Sequence, residues 1–161
     1  MGTVGFSGGY TLVNTNLGSY SLATGYTYTS GDAIVWDTVS PPCPYIGYET
    51  TGVNAGTFTA KVSGVYRMKM YIALTGFVSA VSMFGSLMVN FNNTPPFPTW
   101  NTQYVGFGGA FNATDFVVPL VFNYQFQAND IFKFALFLTG ATTIDFTSGI
   151  ASQSSISCLP S

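Results

Sequence analysis

Apolar and polar residues alternate along several stretches of this chain with a period of two. In Val65-Tyr66-Arg67-Met68-Lys69-Met70-Tyr71-Ile72, Tyr66, Met68, Met70 and Ile72 fall on one face, and Arg67 and Lys69 on the other. That period predicts a strand of an antiparallel sheet with the first set facing inward. From Val117 to Phe126 the inward set is Val118, Leu120, Phe122, Tyr124 and Phe126, with Asn123 and Gln125 opposite. From Ile131 to Leu138, Phe132, Phe134, Leu136 and Leu138 share a face, and Lys133 and Ala135 oppose them. Ile131 and Phe137 lie on that second face, so it is predicted to be partly covered as well. Short runs rich in Val, Ile, Phe, Tyr and Thr predict further strands over 9–14, 25–29, 33–37, 56–62, 84–91, 143–148 and 154–159.

Turn signals separate these runs: Ser30-Gly31-Asp32, Ser63-Gly64, Asn92-Asn93-Thr94-Pro95-Pro96, Ala128-Asn129-Asp130 and Thr139-Gly140. Solvent-facing helix formers barely occur. About ten short, closely spaced strands predict an all-β sandwich, jelly roll or barrel. Residues 92–115 are the longest stretch without a strand pattern. They hold Pro95, Pro96, Pro98, Gly106, Gly108 and Gly109 and read as a long loop. Loops of that length are uncommon unless they are functional or packed on a neighbour. Its aromatics Phe97, Trp100, Tyr104, Phe107 and Phe111 are therefore the candidate contact residues. Protein contact within an assembly is the favoured reading, ahead of a receptor or glycan and of internal packing.

Composition narrows the function. Of 161 residues, 47% are hydrophobic, 17% aromatic and only 6% charged, against roughly 25% charged in an average soluble domain. Such a chain is not disordered, and its length gives one domain with a real core. Four basic residues cannot neutralise a run of phosphates, which excludes nucleic-acid binding by counterion release. Histidine is absent; that removes Ser-His-Asp and Cys-His catalysis, His-ligated zinc and an imidazole switch. No window approaches 18 uninterrupted apolar residues, so no transmembrane helix is expected. Residues 1–30 carry no basic region followed by an apolar core, so no export signal is expected. Synthesis in a reducing compartment follows. Cys43 and Cys158 are too few for a disulfide scaffold; two ordinary thiols are favoured over a single bridge.

The carboxylates Asp32, Asp37, Glu49, Asp115, Asp130 and Asp145 show no close pair of the kind glycoside hydrolysis needs. Several sit in turn-like contexts, where Asp bonds its own backbone. No D-x-D-x-D spacing marks a calcium loop. No catalytic residue, cofactor or metal site is assigned. Arg67 and Lys69, with Lys61 across a turn, form a small basic patch. The plainer account is a solvated face, or a bridge between subunits using Asp115 or Asp130. The sequons at Asn92 and Asn112 are read as unmodified, because no export signal precedes them.

The segment Gly56-Thr57-Phe58-Thr59-Ala60-Lys61-Val62-Ser63-Gly64-Val65-Tyr66 resembles the G-x-F-x-A-x-x-x-G-x-Y strand-turn-strand signature of the C1q / tumour-necrosis-factor superfamily. Ile34-Val35-Trp36-Asp37 resembles its early strand. Phe126-Gln127-Ala128-Asn129-Asp130-Ile131-Phe132 resembles its L-x-x-G-D-x-V turn, with Asn129 in the glycine place. Thr147-Ser148-Gly149 and Ser154-Ser155-Ile156-Ser157 lie where its closing strand belongs. The resemblance spans about residues 33–159. It implies an antiparallel two-sheet jelly roll and a homotrimer with an apolar seam. Phe58, Gly64 and Tyr66 are then fold residues: Gly64 eases a tight turn, with Phe58 and Tyr66 packing beside it.

The expected organisation is an N-terminal arm or extra strands over 1–31 and a single jelly-roll domain over 32–161. No collagen-like or heptad stalk is present. The chain has few of the lysines that usually guard sheet edges, so its edges are expected to be covered in the working state. The composition favours the branch of this architecture used in virions and phages. A capsid, decoration or spike-head component, made in the host cytoplasm and contacting neighbouring virion proteins, is the expected function. An extracellular recognition head binding a receptor or glycan through apical loops is the alternative.

Overall fold

The computed structural model describes residues 15–22, 24–40, 45–75, 81–90, 101–111, 115–141, 143–146 and 149–160. Twelve strands are found there: β1 (Thr15–Leu22), β2 (Tyr26–Thr29), β3 (Thr38–Ser40), β4 (Ile46–Tyr48), β5 (Thr57–Ala60), β6 (Gly64–Thr75), β7 (Val81–Asn90), β8 (Asn101–Phe111), β9 (Asp115–Phe126), β10 (Ile131–Thr139), β11 (Thr143–Phe146) and β12 (Gly149–Pro160). They form two sheets. One runs β2-β11-β6-β12-β1-β3, with β9 on the other side of β6; the second runs β4-β5-β10-β7-β8. Every pairing is antiparallel.

The alternation of β6 is realised as expected. Tyr66, Met68, Met70 and Ile72 are buried, Arg67 is exposed and Lys69 is half-buried. On β9, Leu120, Phe122 and Phe126 face the core and Tyr124 is half-buried. On β10, Phe132, Phe134 and Leu136 are buried. Its second face is covered too: Phe137 stacks on Phe84, with ring centroids 5.3 Å apart, and lies against Gly31. Aromatic rings tie the sheets together. Phe132 stacks on Phe126 at 4.4 Å and on Phe58 at 5.1 Å, while Phe58 meets Tyr20 edge-on at 5.0 Å. Each such pair contributes about 0.5–1.5 kcal/mol beyond the area it buries.

The two motifs of the sequence meet in space. Asn129 N–H donates to Ala60 O at 2.7 Å, and Ala60 N–H donates to Asp130 O at 2.9 Å. Asn129 has φ 75°, a left-handed conformation that Asn tolerates better than most residues. Asp130, buried, accepts from Gln127 N–H at 2.8 Å and closes the same turn. At Gly56, φ is 81° and a Cβ would stand 2.7 Å from Ile34 O, so only glycine fits. Gly64 has no left-handed backbone. It opens β6 as a buried ladder position opposite Phe126, so its expected role in a tight turn is corrected.

Two other expectations are corrected. Residues 33–37 are not a strand, although Ile34 and Trp36 are fully buried. β5 pairs with β10 only as far as Lys133. Beyond it the same edge of β10 is met by residues 28–34 through mixed hydrogen bonds. Ile34 N–H donates to Phe134 O at 2.8 Å and Gly31 N–H to Leu136 O at 2.9 Å. The Tyr28 hydroxyl accepts from Leu136 N–H at 2.7 Å and shares its proton between Asp32 O and Leu136 O. The Tyr48 hydroxyl likewise bonds both the N–H and the C=O of Trp36. The presumed loop at 92–115 contains β8, whose ladder with β7 runs from Val89↔Asn101 to Val81↔Phe111. Pairing to β7 overrides the glycines that suggested a loop. Within residues 1–31, expected as an arm or extra strands, β1 is inserted between β12 and β3, and β2 pairs β11.

Candidate assembly surface

The outer face of the β6–β9 pair is where apolar side chains remain in water. Among the described residues six large hydrophobics are exposed, and four of them stand here: Val65, Tyr71, Val117 and Val121, each 42–45% exposed. The cause is local. Even-numbered positions of β6 turn toward the core, so the odd positions Val65, Arg67, Lys69 and Tyr71 turn outward. The ladder places Gln125 opposite Val65, Asn123 opposite Arg67, Val121 opposite Lys69 and Pro119 opposite Tyr71. On the other flank, β12 sets Ser157 beside Arg67 and Ser155 beside Lys69, and Ser155 in turn faces Ser19 of β1. The face thus grades from serines at β1 and β12 to valines at β9.

Pro119 fixes how this surface can be used. The β6–β9 ladder runs without a shift through Tyr71↔Pro119. A proline inside an unbroken ladder must direct its nitrogen to the open edge. Among the described residues no strand pairs with that side of β9, and it lacks a donor at its middle, which disfavours adding a strand there.

The charged residues divide. Arg67 and Lys69 lie on this face, but Lys61 does not. Its side chain lies near Gly47, at the mouth of a cavity of about 440 Å³ lined also by Tyr20, Val39, Ile46, Tyr48 and Glu49. Of the three basic residues considered together, Arg67 and Lys69 therefore share a face and Lys61 stands elsewhere, because the 61–63 turn carries it to the other sheet. Three of the carboxylates are engaged locally. Asp37 accepts from Thr24 N–H at 3.0 Å, and Asp145 from the Thr27 hydroxyl at 2.6 Å. Asp130 closes its turn. Among the described residues no three His, Cys, Asp or Glu side chains cluster as metal ligands. The cavity holds a single carboxylate, and glycosidase-type chemistry needs two.

Tyr26, Tyr28 and Tyr48 have raised pKa values. Burial pushes the Tyr26 hydroxyl up to about 12, partly offset by the Val35 amide it accepts from. Burial moves Tyr28 and Tyr48 well above the ordinary phenol range. All three stay neutral at physiological pH, which suits hydroxyls that hold backbone groups.

Of the residues singled out from sequence, Phe58 and Tyr66 are fully buried in the core, and the Tyr66 hydroxyl donates to Val62 O at 2.8 Å. Phe97 and Trp100 lie outside the described residues, as does Cys43. Tyr104, Phe107 and Phe111 belong to β8 and not to a loop. Sequence reasoning passed over Val65, Tyr71, Val117 and Val121. The available signal was three valines and a tyrosine on strand faces otherwise read as solvated.

No protein-family model and no curated protein matches the chain. Solved structures do resemble it. The Eiger TNF structure from S. frugiperda superposes with TM-score 0.63 at 11% identity, covering 91% of this chain and 92% of that one. Murine APRIL at pH 5.0 gives 0.61 at 7%, covering 91% and 100%. The globular domain of the zebrafish complement 1qA protein gives 0.54 at 13%, covering 88% and 94%. With two antiparallel sheets in this order and these neighbours, the chain has the tumour-necrosis-factor/C1q jelly-roll fold.

Proposed function

We propose that this chain is a non-enzymatic assembly unit. It forms a homotrimer by burying the outer face of β6 and β9 against neighbouring copies. One observation carries the reading: four of the six exposed large hydrophobics of the described residues share that face. A side chain of this size gains about 1.5–3 kcal/mol on complete burial from full exposure. These are already half-covered, so each gains roughly 1 kcal/mol, repeated in every copy. Three TNF/C1q-like neighbours support the fold in which such a trimer is expected, and Pro119 supports face packing over strand addition.

Within that reading, the trimer is a structural component of a virion or phage particle. The support is compositional: 6% charged residues suit a chain whose surface is largely taken up by neighbours. The aromatics Phe97, Trp100, Tyr104, Phe107 and Phe111 are proposed as contacts to those neighbours.

The test is native mass by light scattering across a range of concentrations. The expected mass is three times the 17.2 kDa protomer. Val65→Asp with Val121→Asp, both at exposed sites, should give folded monomers. A wild-type chain that stays monomeric at high concentration overturns the proposal. Growth of the wild type into large particles extends it to a shell lattice.

A further inference from the structure

Two of the chain's four basic residues, Arg67 and Lys69, project from the middle of the face just described. Their ladder neighbours are Asn123 and Val121 on β9 and Ser157 and Ser155 on β12. Asn123 and Ser155 are exposed and Ser157 is half-buried. This set offers hydrogen-bond donors and positive charge, and no carboxylate. The acidic positions of the same sheet stand at its far end: Asp115 and Asp145 both pair with Thr75. Eight residues separate that level from Arg67, or about 26 Å at the rise of a strand.

Rotation about an axis along the apolar stripe keeps every residue at its own height. Each Arg67–Lys69 pair then meets its own copies and not the acidic end of a neighbour. Burying like charges together without a counter-charge opposes assembly. We propose that the assembled face takes up an inorganic oxyanion of the phosphate or sulfate class between the Arg67–Lys69 pairs of adjacent copies. Guanidinium and ammonium groups beside the Ser155 hydroxyl and the Asn123 amide suit a tetrahedral oxyanion, which accepts several hydrogen bonds at once. The inference rests on the trimer reading, and deepens it by making assembly depend on an anion although the whole chain carries a formal charge of −2.

The experiment is sedimentation of the full chain over a concentration series in sodium phosphate and in sodium chloride at equal pH and ionic strength. Phosphate should lower the concentration of half-assembly by about tenfold or more, as for any ligand bound only by the assembled state. The doubly substituted Arg67→Gln, Lys69→Gln chain should assemble equally well in both salts. Its equal behaviour separates a site from the general salting effect of phosphate. Three results overturn the inference: equal wild-type assembly in the two salts, a phosphate benefit that survives in the double variant, or assembly that Asp145→Asn abolishes in both salts. The last would place a partner's carboxylate where the anion is proposed. Absence of association in either salt sinks the trimer reading together with it.

Discussion

Replacing Tyr28 by Phe removes one oxygen from the interior and should cost more than its size suggests. Tyr28 is 1% exposed and its ring stacks on Phe146 at 4.5 Å, so Phe keeps the packing. The hydroxyl accepts from Leu136 N–H at 2.7 Å and donates to Asp32 O at 2.7 Å or Leu136 O at 3.0 Å. Leu136 O retains Gly31 N–H as a donor. Leu136 N–H loses its partner inside the sandwich, where no strand replaces it. A buried donor left unpaired costs about 1–3 kcal/mol, and a lost carbonyl bond adds up to about 1 kcal/mol. The expected loss is about 2–3 kcal/mol, equivalent to a fall in Tm of about 4–12 °C for a chain of this length. Urea unfolding followed by tryptophan fluorescence reads it at fixed protomer concentration, which removes the effect of assembly. A loss below about 0.5 kcal/mol with an unchanged m value would refute the claim that this hydroxyl stands in for a strand.

Further outcomes follow from the same interior. Gly85→Ala should destabilise by about 1–3 kcal/mol in thermal melts, because a Cβ would stand 2.2 Å from a methyl of Leu120 and overpack the core. Ser86→Ala should be neutral or stabilising by up to about 1 kcal/mol, since the buried Ser86 Oγ finds no hydrogen-bond partner among the described residues; a clear loss in melting temperature would contradict this. Tyr26 ionises near 12 in the folded chain and Tyr28 and Tyr48 are raised as well, against about 10 when unfolded. Their neutral forms favour folding, so this stability is complete below about pH 10 and is lost as pH rises through the folded values. Circular dichroism should show unfolding in that alkaline window, and Tyr28→Phe should flatten the decline.

Strands with one wet and one dry face were the legible part of the chain. β6 announced itself because Arg67 and Lys69 punctuate Tyr66, Met68 and Met70, and β10 because Lys133 separates two phenylalanines. β1 was hidden because Gly18, Tyr20 and Leu22 turn inward between small polar residues, and β3 and β4 because three residues are too few for a period. β8 was hidden by Gly106, Gly108 and Gly109. At 33–37 the alternating burial of Ile34 and Trp36 was real, but hydroxyls of Tyr26, Tyr28 and Tyr48 replace the ladder. Nothing local to Ile34 or Trp36 encodes such partners. The assembly face escaped for a related reason. Val65 and Tyr71 become a surface only when the ladder brings Val117 and Val121 beside them.

The position of β12 has a consequence for how the chain acquires its structure. The last strand lies between β1 and β6, pairing Thr15 with Cys158 and Tyr66 with the same residue. While the chain is still being synthesised, β1 and β3 have no neighbour to join them to the rest of their sheet. The Tyr28–Leu136 bonds also await residues 108 positions downstream. Closure therefore waits until β12 has been made, along a route dominated by distant pairings, which are slow to form. Until then the nascent chain exposes unpaired strand edges, the state most prone to aggregation. Deleting β12 would cut β1 and β3 off from β6 and its partners instead of shortening the protein.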